Sequence, residues 1–146
     1  MNRTILGIYG RADEGKSTIA KLVCQILVRK YPNSLPTNTV IDYSGDILVT
    51  LTVEGLKIGI ESQGDPRSRM FHTLKQLGSA NCDIIICTTR TTGSTVNEVD
   101  HVADTFGYNT LWISSFYTPS LNTTVLNDQA AKNIVEIVEM LITGTL

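Results

Sequence analysis

The sequence predicts a doubly wound α/β protein. Short apolar, β-prone runs alternate along the chain with longer segments whose apolar residues recur at helical spacing. The most apolar run, Asp83-Ile84-Ile85-Ile86-Cys87-Thr88-Thr89, is of the kind buried on both faces of a sheet. A chain of 146 residues that is 42% hydrophobic and 18% charged fits one globular domain, residues 1–146, with a sizeable core.

Ile5-Leu6-Gly7-Ile8-Tyr9 reads as the first strand. A helix is expected from Ser17 to about Lys30, with Ile19, Leu22, Val23, Ile26 and Leu27 on its apolar face. Pro32 ends that helix at or near Tyr31. Thr39-Val40-Ile41-Asp42-Tyr43 reads as a short strand. Residues 46–62 read as a hairpin, two alternating arms around a Glu54-Gly55 turn. Its second arm is expected to run parallel to the first strand and beside it. A helix over 66–79 carries Met70, Phe71, Leu74 and Leu77 inward, with Pro66 suited to its first turn and Asp65 to its cap.

After the buried strand at 83–89, a polar loop from Arg90 to Ser94 leads into a helix through about Phe106, stopped by Gly107. Residues 109–116 form another strand, 117–122 a loop, and the last helix runs from about Asn127 to Ile142. The whole predicts a mainly parallel sheet with one antiparallel hairpin strand. Ligands in such sheets bind at the carboxyl ends of the strands, where loops 10–17, 61–65, 88–94 and 115–122 converge.

Composition narrows the function classes. A net charge of −2 gives no basic footprint for nucleic acid. No apolar run is long enough to span a bilayer, and the first residues lack a signal-peptide pattern. Cys24, Cys82 and Cys87 have no metal-ligand spacing and form no even framework. Cys24 and Cys87 read as core thiols, which suits a cytoplasmic protein. His72 and His101 fall in helices away from any ligand cluster.

The stretch with the clearest chemistry is Gly10-Arg11-Ala12-Asp13-Glu14-Gly15-Lys16-Ser17-Thr18, a G-x-x-x-x-G-K-S pattern between a strand and a helix. Successive backbone N–H groups and a helix N-terminus suit phosphate oxygens, and the glycines let the chain bend close to them. Lys16 reaches the outer phosphates, and the Ser17 hydroxyl suits Mg²⁺. With these flanks, residues 5–30 resemble the Walker A unit of the P-loop NTPases. The resemblance implies a three-layer α/β/α fold, a nucleoside triphosphate (ATP, with GTP as the alternative) and Mg²⁺.

Further candidates lie at the same sheet edge. Glu61 stands loosely at the Walker B position, where a carboxylate holds Mg²⁺ or orients the nucleophile. Gln63 is placed to orient a water. Arg90 is placed to steady charge on a transferring phosphoryl group, with Arg67 and Arg69 as further arginines. Phe116, Tyr117 and Pro119 follow the last strand, where aromatic faces stack on a base. Glu61-Ser62-Gln63-Gly64 resembles the D-x-x-G switch of small GTPases. Ser114-Ser115-Phe116-Tyr117 stands where that family carries N-K-x-D.

The leading expectation is therefore Mg²⁺-dependent binding of ATP with hydrolysis or phosphoryl transfer to a small-molecule acceptor. The other two readings are a GTPase-like switch moving residues 61–70, and a nucleotide-binding partner module without turnover.

Overall fold

The computed structural model describes residues 1–10, 15–64 and 70–146. Among the described residues, five strands and four helices follow one another as β1 (Thr4–Tyr9), α1 (Lys16–Lys30), β2 (Leu48–Val53), β3 (Leu56–Glu61), α2 (Met70–Ser79), β4 (Ile84–Thr89), α3 (Ser94–Phe106), β5 (Asn109–Ser114) and α4 (Thr123–Thr143). The strands form one sheet in the order β2-β3-β4-β1-β5. β1 is parallel to both β4 and β5, and β3 is parallel to β4. Only β2, paired with β3, is antiparallel within this sheet.

Alternation along the strands divides the core in two. Leu6 and Ile8 of β1, Ile58 and Ile60 of β3, and Ile84 and Ile86 of β4 pack with α1 and α4. Ile5, Ile85 and Cys87 point the other way and pack with α2 and α3. Helices thus cover both faces, an arrangement compatible with three α/β/α layers. The all-buried run of β4 is explained by its place: strands flank it on both edges and helices lie on both sides. Among the described residues, no helix is long and apolar enough to cross a membrane.

Local chemistry accounts for most of the boundaries. α1 stops with Tyr31 as its C-cap, immediately before Pro32. Glu54 and Gly55 turn the hairpin with positive φ values of 51° and 77°, the twist that matches a right-handed strand pair. α3 ends at Gly107.

Three expectations need correction. β3 does not lie beside β1, because β4 is inserted between them. Residues 39–43 form no strand; Val40 is 90% exposed, and β-branched residues do not hold a strand without a neighbouring strand to pair with. α4 begins at Thr123, not near Asn127, because Asn122 caps it: the Asn122 side chain accepts a hydrogen bond from the Val125 amide at 3.2 Å. The expected first turn of the second helix, residues 66–69 with its Asp65 cap, lies outside the described residues.

Candidate functional site

The carboxyl ends of β1, β3 and β4 open on one side of the sheet. There a cleft of about 610 Å³ is lined by Gly15, Lys16, Ser17 and Thr18 at the start of α1, by Ser62, Gln63 and Gly64 after β3, and by Thr88 and Arg90 at the end of β4. Asp46 completes the lining from the segment before β2. Three of the four expected loops therefore meet.

Gly15 introduces α1 in a left-handed conformation, φ 78°, which glycine adopts without a Cβ penalty. The next residue, Lys16, is nearly buried, and its Nζ donates to the carbonyls of Gly10 at 2.8 Å and Thr89 at 2.6 Å. One ammonium thus joins the two ends of the 10–15 loop to the neighbouring strand. An ammonium buried this deeply is costly unless acceptors surround it. Of the sequence-predicted phosphate-binding residues, Gly10, Gly15, Lys16, Ser17 and Thr18 are described. Arg11, Ala12, Asp13 and Glu14 lie outside the described residues.

Ser17 Oγ donates to Asp46 Oδ1 at 2.9 Å, and Ser62 Oγ donates to the same oxygen at 2.9 Å. Ser62 Oγ also accepts the Ile47 amide at 2.8 Å, while the Ser62 amide donates to the Ile47 carbonyl at 3.0 Å. The hairpin thereby carries Asp46 to the first turn of α1. Sequence reasoning missed Asp46. The signal was present in the hairpin register: extended past Leu48↔Glu61, it sets Asp46 opposite Gln63, at the edge where the phosphate loop was already expected.

Glu61 is placed differently. It alternates with Ile58 and Ile60, so its side chain falls on the α2 face of the sheet. It is fully buried there. One carboxylate oxygen accepts the Gln63 amide at 3.0 Å, and the other accepts the hydroxyl of Thr73 in α2. Glu61 is not among the residues lining the cleft. Cys87 shares this buried face. Burial, and secondarily the Glu61 charge, push its thiol up to about 12.

Gln63 and Gly64 reach the cleft because the chain after β3 lies tight against β4. Thr88 Oγ1 donates to the Ser62 carbonyl at 3.0 Å. A Cβ on Gly64 would collide with the Thr88 carbonyl, so only glycine passes there without displacement. Arg90, just past β4, also lines the cleft, its amide donating to Thr95 Oγ1 at 3.0 Å. Arg67 and Arg69 lie outside the described residues.

The fourth loop lines an adjoining cavity of about 210 Å³, with Gly15 common to both. Phe116, Tyr117 and Thr118 form one wall; Thr123, Leu126 and Asn127 of α4 form the other. Phe116 and Tyr117 are exposed, and Pro119 is not part of the lining.

The donor set suits a charged oxyanion with a hard cation. A lysine and an arginine provide cationic N–H donors, and a serine hydroxyl and a carboxylate provide oxygen ligands. No protein-family model matches the chain, and neither a curated protein nor a solved structure matches it.

Proposed function

We propose that the cleft binds the polyphosphate of a nucleoside triphosphate with Mg²⁺, ATP before GTP, on a P-loop NTPase type of fold. In this reading the protein hydrolyses the nucleotide or passes its terminal phosphoryl group to a small-molecule acceptor. The observation that carries the proposal is Lys16. A nearly buried ammonium stands at the N-terminus of a long helix, beside a polar cleft at the carboxyl ends of parallel strands. Helix N-termini favour anions, and carboxyl-end clefts are where such sheets bind ligands.

Lys16 would hold the outer phosphates, and Ser17 with Asp46 would hold Mg²⁺. The cation would neutralise charge on the phosphate oxygens. Arg90, also on the cleft lining, would steady charge on the group in transfer. Gln63, on the cleft wall, would orient the attacking water or acceptor hydroxyl. Phe116 and Tyr117 offer aromatic surface to the base. Three free, buried cysteines fit a reducing compartment, and we assign the protein to the cytoplasm.

One observation favours a second reading, a nucleotide-binding module without turnover. Glu61, the expected catalytic carboxylate, is not part of the cleft lining, and its two oxygens accept the Gln63 amide and the Thr73 hydroxyl. Phosphate release from Mg·ATP and Mg·GTP, measured with and without a panel of hydroxyl acceptors, separates the readings. Release without acceptor supports hydrolysis, and consumption only with acceptor supports transfer. Tight binding with no release of phosphate supports the module. Failure to bind either nucleotide refutes all three.

A further inference from the structure

We propose that the open edge of the sheet at β2 is a docking groove for an extended, positively charged peptide segment of a partner protein. The proposal stands apart from the polyphosphate reading, because no part of it requires a nucleotide in the cleft.

β2 ends the sheet on its side and pairs with β3. In an antiparallel pair, alternate residues turn their N–H and C=O groups towards the partner strand, and the residues between turn them outward. Thr52 belongs to the outward set, because its amide leaves the sheet and donates to the Ser34 carbonyl at 2.9 Å. The period of two puts Leu48 and Thr50 in the same set. Among the described residues no strand lies against them, and no turn or loop bond reaches their amides or carbonyls.

Sheets protect such an edge with a charge, a proline, a bulge or a covering segment. Leu48-Val49-Thr50 carries no charge and no proline, and the β2–β3 register runs through it without a bulge. The chain before β2 begins to cover the edge at Ser34 and then leaves it. Two residues on, Pro36 has no N–H to continue the pairing, and the Thr39 amide turns back to the Pro36 carbonyl at 3.1 Å. What remains is a groove of about 590 Å³, lined by residues 35–36 and 39–42 and by residues 46–50.

The lining defines the occupant. The free groups of Leu48 and Thr50 require alternating donors and acceptors, which an extended main chain supplies by adding a strand to the edge. Leu35, Val40 and Ile41 offer apolar contact to its side chains. Both charged groups of the described lining are carboxylates, Asp42 and Asp46. They favour lysine or arginine on the incoming strand. The same charges disfavour a second copy of this chain, since two β2 edges brought together would set aspartates against aspartates.

The test titrates the whole ¹⁵N-labelled protein with the peptide acetyl-Lys-Val-Thr-Val-Lys-Val-Thr-amide, followed by backbone NMR. Controls are a copy with glutamate for lysine, and copies N-methylated at every second residue in either phase. The basic peptide should bind saturably, with its largest shifts at the Leu48 and Thr50 amides. The glutamate copy and one methylated copy should bind at least about tenfold more weakly. Thr50→Pro removes an N–H that β3 does not use, a place where an edge strand tolerates proline, and should weaken the basic peptide about tenfold. Asp42→Asn keeps an acceptor for the Ser44 amide and should weaken it about threefold. If Thr50→Pro does not fold, the methylated peptides and Asp42→Asn decide. No binding of the basic peptide overturns the proposal, as does parent affinity in the glutamate copy or in both methylated copies. Largest shifts outside residues 35–50 also overturn it. Shifts at Leu48 and Thr50 that follow protein concentration without peptide overturn it in favour of a second copy.

Discussion

The carboxyl ends of β1 and β3 lie on one edge of the sheet but hold their charged groups in opposite ways. After β1 the chain opens into a cleft, where Lys16, Ser17 and Asp46 stand around space large enough for a ligand. After β3 it closes. Glu61 is sealed under α2 with both oxygens occupied by groups of its own chain. A sealed carboxylate organises structure: it fixes the Gln63 amide at the turn out of β3 and joins β3 to α2 through Thr73. An open one, held at a single oxygen, retains the capacity to bind something else. The difference separates a residue whose loss is read in stability from one whose loss is read in ligand affinity.

The largest effect should come from the open side. Lys16→Ala removes the cation at the cleft and the ties to Gly10 and Thr89. We expect nucleotide affinity to fall by about a thousandfold, about 4 kcal/mol, as when one partner of a buried charge pair is lost; calorimetric titration reads it. Wild-type affinity in that variant would break the comparison at its strongest point.

On the closed side, Glu61→Ala leaves the Gln63 amide and the Thr73 hydroxyl without that acceptor, at about 1–3 kcal/mol each. A loss of about 3 kcal/mol in stability is expected, visible in urea unfolding as a lower midpoint at unchanged slope. A variant as stable as wild type would mean that the sealed carboxylate has no structural role.

A third carboxylate is intermediate. Glu139 of α4 is partly exposed and accepts Lys30 Nζ at 2.8 Å and the Tyr31 hydroxyl at 2.7 Å. The Lys30 bond first, then Tyr31, holds it below its usual carboxylate range. The Glu139 bond first, then burial, pushes Tyr31 from 10.0 up to about 12. The raised phenol contributes stability that is complete below pH 10 and is lost as pH rises towards 12. The lowered carboxylate contributes above its ordinary range and loses that contribution as pH falls through it. Tyr31→Phe should cost about 1 kcal/mol at neutral pH and flatten the alkaline limb of the stability curve. Thermal unfolding across pH 7–11 measures both.

The smallest effect sharpens the contrast. Asp46→Asn is an exposed substitution that keeps an acceptor oxygen for Ser17 and Ser62. Stability should change by less than about 0.5 kcal/mol, read in the same urea titration. A loss comparable to that of Glu61→Ala would place Asp46 among the structural groups.

Much of this arrangement was legible in the sequence. Gly10 to Thr18 located the cleft. The Glu54-Gly55 turn fixed the hairpin, and the unbroken apolar run at 84–87 marked a strand covered on both faces. What escaped depends on tertiary pairing. Nothing in the periodicity of Ile58 or Ile84 says which strand neighbours β1. The β propensity at 39–43 finds no neighbouring strand, so those residues form none. Asn122 marks the start of α4 as its cap, before the buried stripe from Ala130 begins. The Walker B expectation put Glu61 at the carboxyl edge of the sheet, and the alternation of β3 turned its side chain to Thr73 of α2, off the cleft lining. Asp46, 29 residues from Ser17, needs the hairpin register before its place can be read.

The central claim is that the start of α1 holds a polyphosphate, and amide resonances test it where it is made. Backbone NMR spectra would be recorded with and without saturating Mg²⁺ and a non-hydrolysable ATP analogue, with adenosine as the control. The account predicts the largest shifts at Gly15, Lys16, Ser17 and Thr18 with the analogue, and none there with adenosine alone. Saturation by the analogue with those four amides unmoved would contradict it.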